Sequence, residues 1–195
     1  MGNVNLGVPK ELALALKTEL ALTNFVETGT YLGDTAVWAS KEFQTAYTIE
    51  ASLPLYEKAV AKLGHHQNIR FLHGDSRKCL RNVVQKLNGP ALYWLDAHWS
   101  AGNTFGENDE CPLLQEIAEI HAKPHEAVIF VDDARLFLAP PPKPHNADQW
   151  PDLSSVIAAL LSADLSRYVV VYEDAIISVP AKVRPFLVRY IQDRL

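Results

Sequence analysis

Short runs of β-branched and aromatic residues recur along the chain at Asn24–Glu27, Thr45–Ile49, Ile69–Leu72, Ala91–Leu95, Ala127–Val131, Tyr168–Tyr172 and Ala175–Val179. Each run predicts a strand. Between the earlier runs the apolar positions switch to helical spacing. Tyr56, Ala59, Val60 and Leu63 share one face, as do Leu80, Val83, Val84 and Leu87, with Ser76 placed to cap the second stripe. Pro112 suits the first position of a helix in which Leu113, Leu114, Ile117 and Ile120 turn inward. Two later stripes follow, Leu153-Val156-Ile157-Leu160-Leu161 and Val183-Phe186-Leu187-Tyr190-Ile191, and one helix (Glu11–Leu22) precedes the first strand. Strands alternating with amphipathic helices predict right-handed βαβ units and a doubly wound, mainly parallel α/β sheet. One junction departs from that rule. Only Glu173 and Asp174 separate the last two strands, too few for a crossover helix, so the sheet should end in an antiparallel hairpin.

At 195 residues the chain suits a single domain: an N-terminal helical segment (1–23), a core (24–180) and a C-terminal helix (181–195). The net charge of -5 argues against a broad electrostatic grip on nucleic acid. Cys79 and Cys111 lack metal-ligand spacing and read as reduced thiols. With no membrane span and no secretion signal in sight, the expected location is cytoplasmic. Two stretches rich in turn formers, Trp99–Glu110 and Ala139–Pro151, follow strands and should emerge at the carboxyl edge of the sheet, where open α/β folds hold ligands.

The chemistry concentrates at strand ends. The first strand runs into Glu27-Thr-Gly-Thr-Tyr-Leu-Gly33, with Asp34 or Thr35 opening a helix. Glycines in such a loop allow positive φ or close approach to a ligand. A dinucleotide site would need G-x-G-x-x-G, but Tyr31 and Asp34 occupy the second and third glycine positions. The leading acid would repel a phosphate and suits a cationic amino acid group. Glu50 closes the second strand, 23 positions after Glu27, where a carboxylate can accept ribose hydroxyls. Gly74-Asp75-Ser76 follows the third, with Asp75 free either to accept an adenine amino group or to cap the next helix.

The series ETGTYLG, TIEAS, HGDS and YWLDAH, spanning roughly Asn24–Pro180, resembles the class I S-adenosylmethionine-dependent methyltransferases. The resemblance implies a seven-stranded Rossmann-like fold. It implies that Glu27, Gly29 and Gly33 hold the cofactor's amino acid portion, Glu50 its ribose and Asp75 its adenine, with Thr30, Thr35, Ala51, Gly74, Ser76 and Asp96 completing the cofactor site. Asp96 after the fourth strand and Asp132-Asp133 after the fifth should converge. Clustered carboxylates are unfavourable unless a cation or protonation offsets them. The pattern is closest to metal-dependent small-molecule O-methyltransferases of the catechol type and the macrolide-sugar and aminocoumarin-sugar type. On that likeness Asp96, Asp132 and Asp133 would bind Mg²⁺ and His98 would take the acceptor's hydroxyl proton. Cap formation by Asp133 and a loop-bonding His98 are the bland alternatives. His73 is adenine-side or structural, and His65, His66, His121, His125 and His145 are expected at the surface.

The expected activity is methyl transfer to a small-molecule hydroxyl. The alternatives are a non-catalytic nucleoside-binding module and, disfavoured by the glycine spacing, an NAD-dependent oxidoreductase. With one helix ahead of the first strand, the acceptor's cover should come from the two long loops or from a second subunit of a homodimer.

Overall fold

The computed structural model describes residues 7–100, 105–164 and 166–194. The first six residues of the N-terminal segment, residues 101–104 of the first long loop, and Leu195 of the C-terminal segment lie outside the described residues.

The seven expected strands all form: β1 (Asn24–Thr28), β2 (Thr45–Glu50), β3 (Ile69–His73), β4 (Ala91–Leu95), β5 (Ala127–Val131), β6 (Tyr168–Tyr172) and β7 (Ala175–Val179). They make one sheet in the order β3-β2-β1-β4-β5-β7-β6. The first five strands run parallel; β7 pairs antiparallel with both β5 and β6. The two residues of the β6–β7 turn, Glu173 and Asp174, both take positive φ (49° and 65°), as a tight hairpin following the strand twist requires.

Every residue of β1, β4, β5 and β7 is buried, the signature of strands covered on both faces. Their side chains divide by alternation into two cores. Phe25, Leu92, Trp94, Val128, Phe130 and Ile177 face helices α1 (Lys10–Leu20), α2 (Asp34–Glu42) and, beyond the hairpin, α8 (Arg184–Gln192). Val26, Tyr93, Leu95, Ile129, Val131 and Ile176 face α4 (Ser76–Lys86), α5 (Leu113–His121) and α7 (Leu153–Leu161). Helix α3 (Leu53–Leu63) follows β2, and a single turn, α6 (Arg135–Leu138), follows β5. The sheet is therefore doubly wound. Its direction of winding reverses between β1 and β4, which opens a crevice at their carboxyl ends.

Two local expectations are corrected. Ser76 is the first residue of α4 and not its cap; Asp75 is the cap, its side chain accepting from the Arg77 N–H. Asp133 does not cap α6, because its side chain is turned elsewhere, as described below.

Candidate functional site

A cavity of about 640 Å³ occupies the crevice. That is ordinary for a small-molecule site. On one side its wall is the loop after β1. Gly29 has φ +86°, and a Cβ there would lie 2.2 Å from the Asp96 carbonyl oxygen. The loop and the end of β4 thus touch backbone to backbone, which only glycine permits. Gly33 has φ +79°, and its Cβ would strike Leu63 Cδ1 at 2.4 Å, so it sets how closely α3 packs. Tyr31, where the commoner loop has glycine, also adopts positive φ (46°). Its side chain is 57% exposed and escapes crowding by pointing outward.

Glu50 holds this loop in place. Its Oε2 accepts from the Tyr31 N–H and its Oε1 from the Ser52 N–H, both at 2.9 Å. Each oxygen retains a lone pair for a further donor. Glu27 lies behind the loop, 2% exposed. It accepts from Thr48 Oγ1 at 2.6 Å, and Thr30 completes the chain by bonding Thr48. Burial pushes the Glu27 carboxyl up to about 8, against the lowering bonds from Thr48 and Thr35. Glu27, Thr30, Gly33 and Thr35 therefore shape the loop from behind, while Gly29, Glu50, Ala51 and Gly74 stand on the cavity wall, with Asp75, Ser76, Asp96 and His98 beside them. Asp75 is occupied by more than capping. Arg77 bonds both its oxygens (2.9 and 2.8 Å) and reaches Asp109 in the first long loop at 2.8 Å. These bonds outweigh Asp75's partial burial and hold its carboxyl below the usual range.

At the ends of β4 and β5 the three aspartates do gather, but they do not point at one centre. Among the described residues no three His, Cys, Asp or Glu side chains are arranged to hold a metal ion. Asp96 and Asp132 share a hydrogen bond. Burial first, and then the charges of Asp132 and Asp133, raise the Asp96 carboxyl far above its ordinary value. Asp132 is itself raised to about 6 by burial and the neighbouring Asp133 charge. Asp133, at φ 55°, has partners of its own. Its Oδ2 meets His98 Nε2 at 3.0 Å and its Oδ1 accepts from Arg135 Nη1 at 2.7 Å. Burial alone would raise the Asp133 carboxyl; the His98 and Arg135 contacts prevail and lower it. In this arrangement a shared proton and the Arg135 guanidinium offset the acids. Arg135's part is not legible from chain order, since a lone arginine after two acids is common at a surface.

His98 is placed for proton chemistry. An ionised Asp133 can only accept, so Nε2 carries a proton, and in the neutral imidazole Nδ1 then offers a lone pair. Nδ1 lies 3.8 Å from Asp96 Oδ1, and the ring packs 5.3 Å from that of Trp150.

Two buried acids were not singled out by the sequence reading. Glu110, at the end of the first long loop, fastens it to the second. Its carboxylate takes His145 Nδ1 (3.0 Å), the Asn146 N–H (2.9 Å) and Trp150 Nε1 (2.7 Å), while its own N–H donates to Gln149 Oε1. Burial raises its carboxyl, but the bonds from Trp150, Asn146 and His145 outweigh burial and lower it. Glu116, on α5, is 1% exposed and bonded to Ser76 and Thr28, with Oε1 meeting no donor. Burial pushes it up to about 7. A detectable signal existed: 113, 116, 117 and 120 share one helical face, so an acid sits in an apolar stripe. Three histidines expected at the surface are half-buried and partnered instead: His121 with Ser162, His125 with Tyr93, and His145 with Glu110.

No family model matches the chain, and no curated protein matches it in sequence. Its structure does find neighbours. A Staphylococcus aureus protein provisionally assigned as a caffeoyl-CoA O-methyltransferase superposes with a TM-score of 0.59 at 16% identity, covering 91% of this chain and 86% of its own. The chain has the class I methyltransferase fold. A methyltransferase of Podospora anserina with SAH bound gives 0.55 at 14% identity (87% and 76% covered). The N-methyltransferase NodS of Bradyrhizobium japonicum gives 0.51 at 12% (88% and 93%). Because oxygen- and nitrogen-methylating proteins both superpose, the shared fold does not choose the acceptor.

Proposed function

We propose that the protein transfers the sulfonium methyl of S-adenosylmethionine to a hydroxyl of a small molecule. The observation that carries this reading is the presence, on the wall of one cavity, of a glycine-tight loop, Glu50 and His98, with Asp133 bonded to His98 from outside that wall. Glu50 is the acid available to the nucleoside, with Asp75 beside it held by Arg77, and Gly29 lets the cofactor approach the backbone. The acceptor's O–H proton passes to His98 Nδ1. The oxygen then bonds the methyl carbon as the carbon–sulfur bond breaks and leaves SAH. Asp133 steadies the imidazolium that forms, and holding both reactants in line supplies much of the rate. No step runs through a metal, because the carboxylates are committed to other partners. Among the described residues no helix is long and apolar enough to cross a membrane, and Cys79 and Cys111 are free and buried, which fits the reducing cytoplasm.

Calorimetric titration with SAH and with NAD tests the cofactor half. SAH binding is expected; binding of NAD alone would sink the reading. Labelled-methyl transfer to a panel of phenols, sugars and amines tests the acceptor half. His98→Ala should lower turnover of any hydroxyl acceptor by about 10²–10⁴-fold while leaving SAH affinity in place. SAH binding with no transfer to any acceptor class would favour a non-catalytic binding module.

A further inference from the structure

We propose that Arg135 is the resident cation of the acidic cluster at the ends of β4 and β5, making a divalent ion unnecessary there and positioning Asp133 against His98. The inference rests on the methyltransferase reading only in assigning His98 its role; the charge argument stands on the geometry.

Asp96, Asp132 and Asp133 lie within reach of one another, and Asp174 of the β6–β7 turn adds a fourth acid. Such a group needs positive charge or shared protons to stay folded. A hard divalent ion would need several of these oxygens directed at one point. Here the oxygens are already spoken for. Asp133 gives one to Arg135 and one to His98. Asp132 Oδ1 accepts the Asp133 N–H at 2.7 Å, which holds the strained Asp133 backbone, and Asp132 also shares a hydrogen bond with Asp96.

Arg135 is not a loose surface arginine. Its N–H donates to Asp174 Oδ1 at 3.0 Å, its Nη1 bonds Asp174 Oδ2, and the preceding Ala134 N–H donates to the Asp174 carbonyl at 2.7 Å. The hairpin turn therefore fixes both the backbone and the guanidinium of this residue. From that anchor Nη1 reaches Asp133 and commits one of its carboxylate oxygens. A planar, permanently charged guanidinium can bridge two carboxylates in this way. Removing it should leave Asp133 free to complete an oxygen cluster of the kind that hard cations take.

The test measures Mn²⁺ binding by the loss of its free electron-paramagnetic-resonance signal, on wild type, Arg135→Ala, Arg135→Met, Arg135→Lys and Arg135→Ala/Asp133→Asn. Wild type and Arg135→Lys should leave millimolar Mn²⁺ free. Arg135→Ala and Arg135→Met should gain about tenfold or more in Mn²⁺ affinity, and Asp133→Asn should erase the gain. A purely structural role for Arg135 would change thermal stability in these variants without creating a metal site. Tight Mn²⁺ binding by wild type, lost on replacing Asp132 or Asp133, would overturn the proposal. So would the lack of any gain in both charge-removing variants. SAH titration of each sample keeps the two readings apart. A wild type that ignores SAH defeats the methyltransferase reading alone. If Arg135→Ala does not fold, Arg135→Met, which keeps the aliphatic stem, decides the question.

Discussion

At the scale of single residues, the site depends on positions where only one side chain fits. Gly29 combines a positive φ with a Cβ position 2.2 Å from a neighbouring carbonyl oxygen. Gly29→Ala should destabilise the protein by about 3 kcal/mol or more, because backbone must move against backbone. A thermal melt checks this, and loss of SAH binding should accompany it. The buried acids set a second residue-scale expectation. Glu27 rises to about 8 and Glu116 to about 7 from an ordinary value of 4.5. Both bind protons more tightly folded than unfolded. Their contribution is complete below about pH 4.5 and is lost as pH climbs through 7 and 8. Stability should therefore fall from pH 5 to 8, on the order of a few kcal/mol, and Glu27→Gln with Glu116→Gln should flatten that fall in denaturant titrations. The lowered acids, such as Asp75 and Asp133, act in the opposite sense and in a lower window, losing their contribution as pH drops below about 4.

At the scale of elements, the two long loops behave as one piece because a single carboxylate joins them. Glu110 satisfies three donors from the second loop's residues. An amide has one acceptor oxygen, so Glu110→Gln must strand at least one of them, costing about 2–4 kcal/mol locally. Hydrogen exchange should accelerate across residues 105–110 and 142–150 in this variant, while the sheet amides stay protected. Unchanged exchange in both loops would mean that the ring contacts among Trp99, His145 and Trp150 hold them instead.

For the whole molecule, strands and their order were legible because period and composition are local. The gap of two residues at Glu173-Asp174 forced the hairpin, and both residues take the positive φ that such a turn needs. Gly29 and Glu50 were legible for the same reason: their place in the chain fixes their place at the sheet edge. What the chain order could not reveal was the choice of partner. Asp96, Asp132 and Asp133 were correctly brought to neighbouring strand ends, yet their direction depends on Arg135 and on Asp174, 39 residues further along. Asp75 was open between capping and ligand contact, and its bonds to Arg77 and the link to Asp109 emerge only from packing. Glu116 was visible as an acid on an apolar face, but its neighbours Thr28 and Ser76 come from distant elements.

The hairpin turn also places the chemistry in time. β7 inserts between β5 and β6, and Asp174 supplies the anchor for Arg135. During synthesis, then, β1 to β5 can all leave the ribosome with the His98–Asp133 pair still unset. A nascent chain stalled before residue 174 should expose the β5 edge and lack the clamp. The turn into the last strand to be made is what finishes the site.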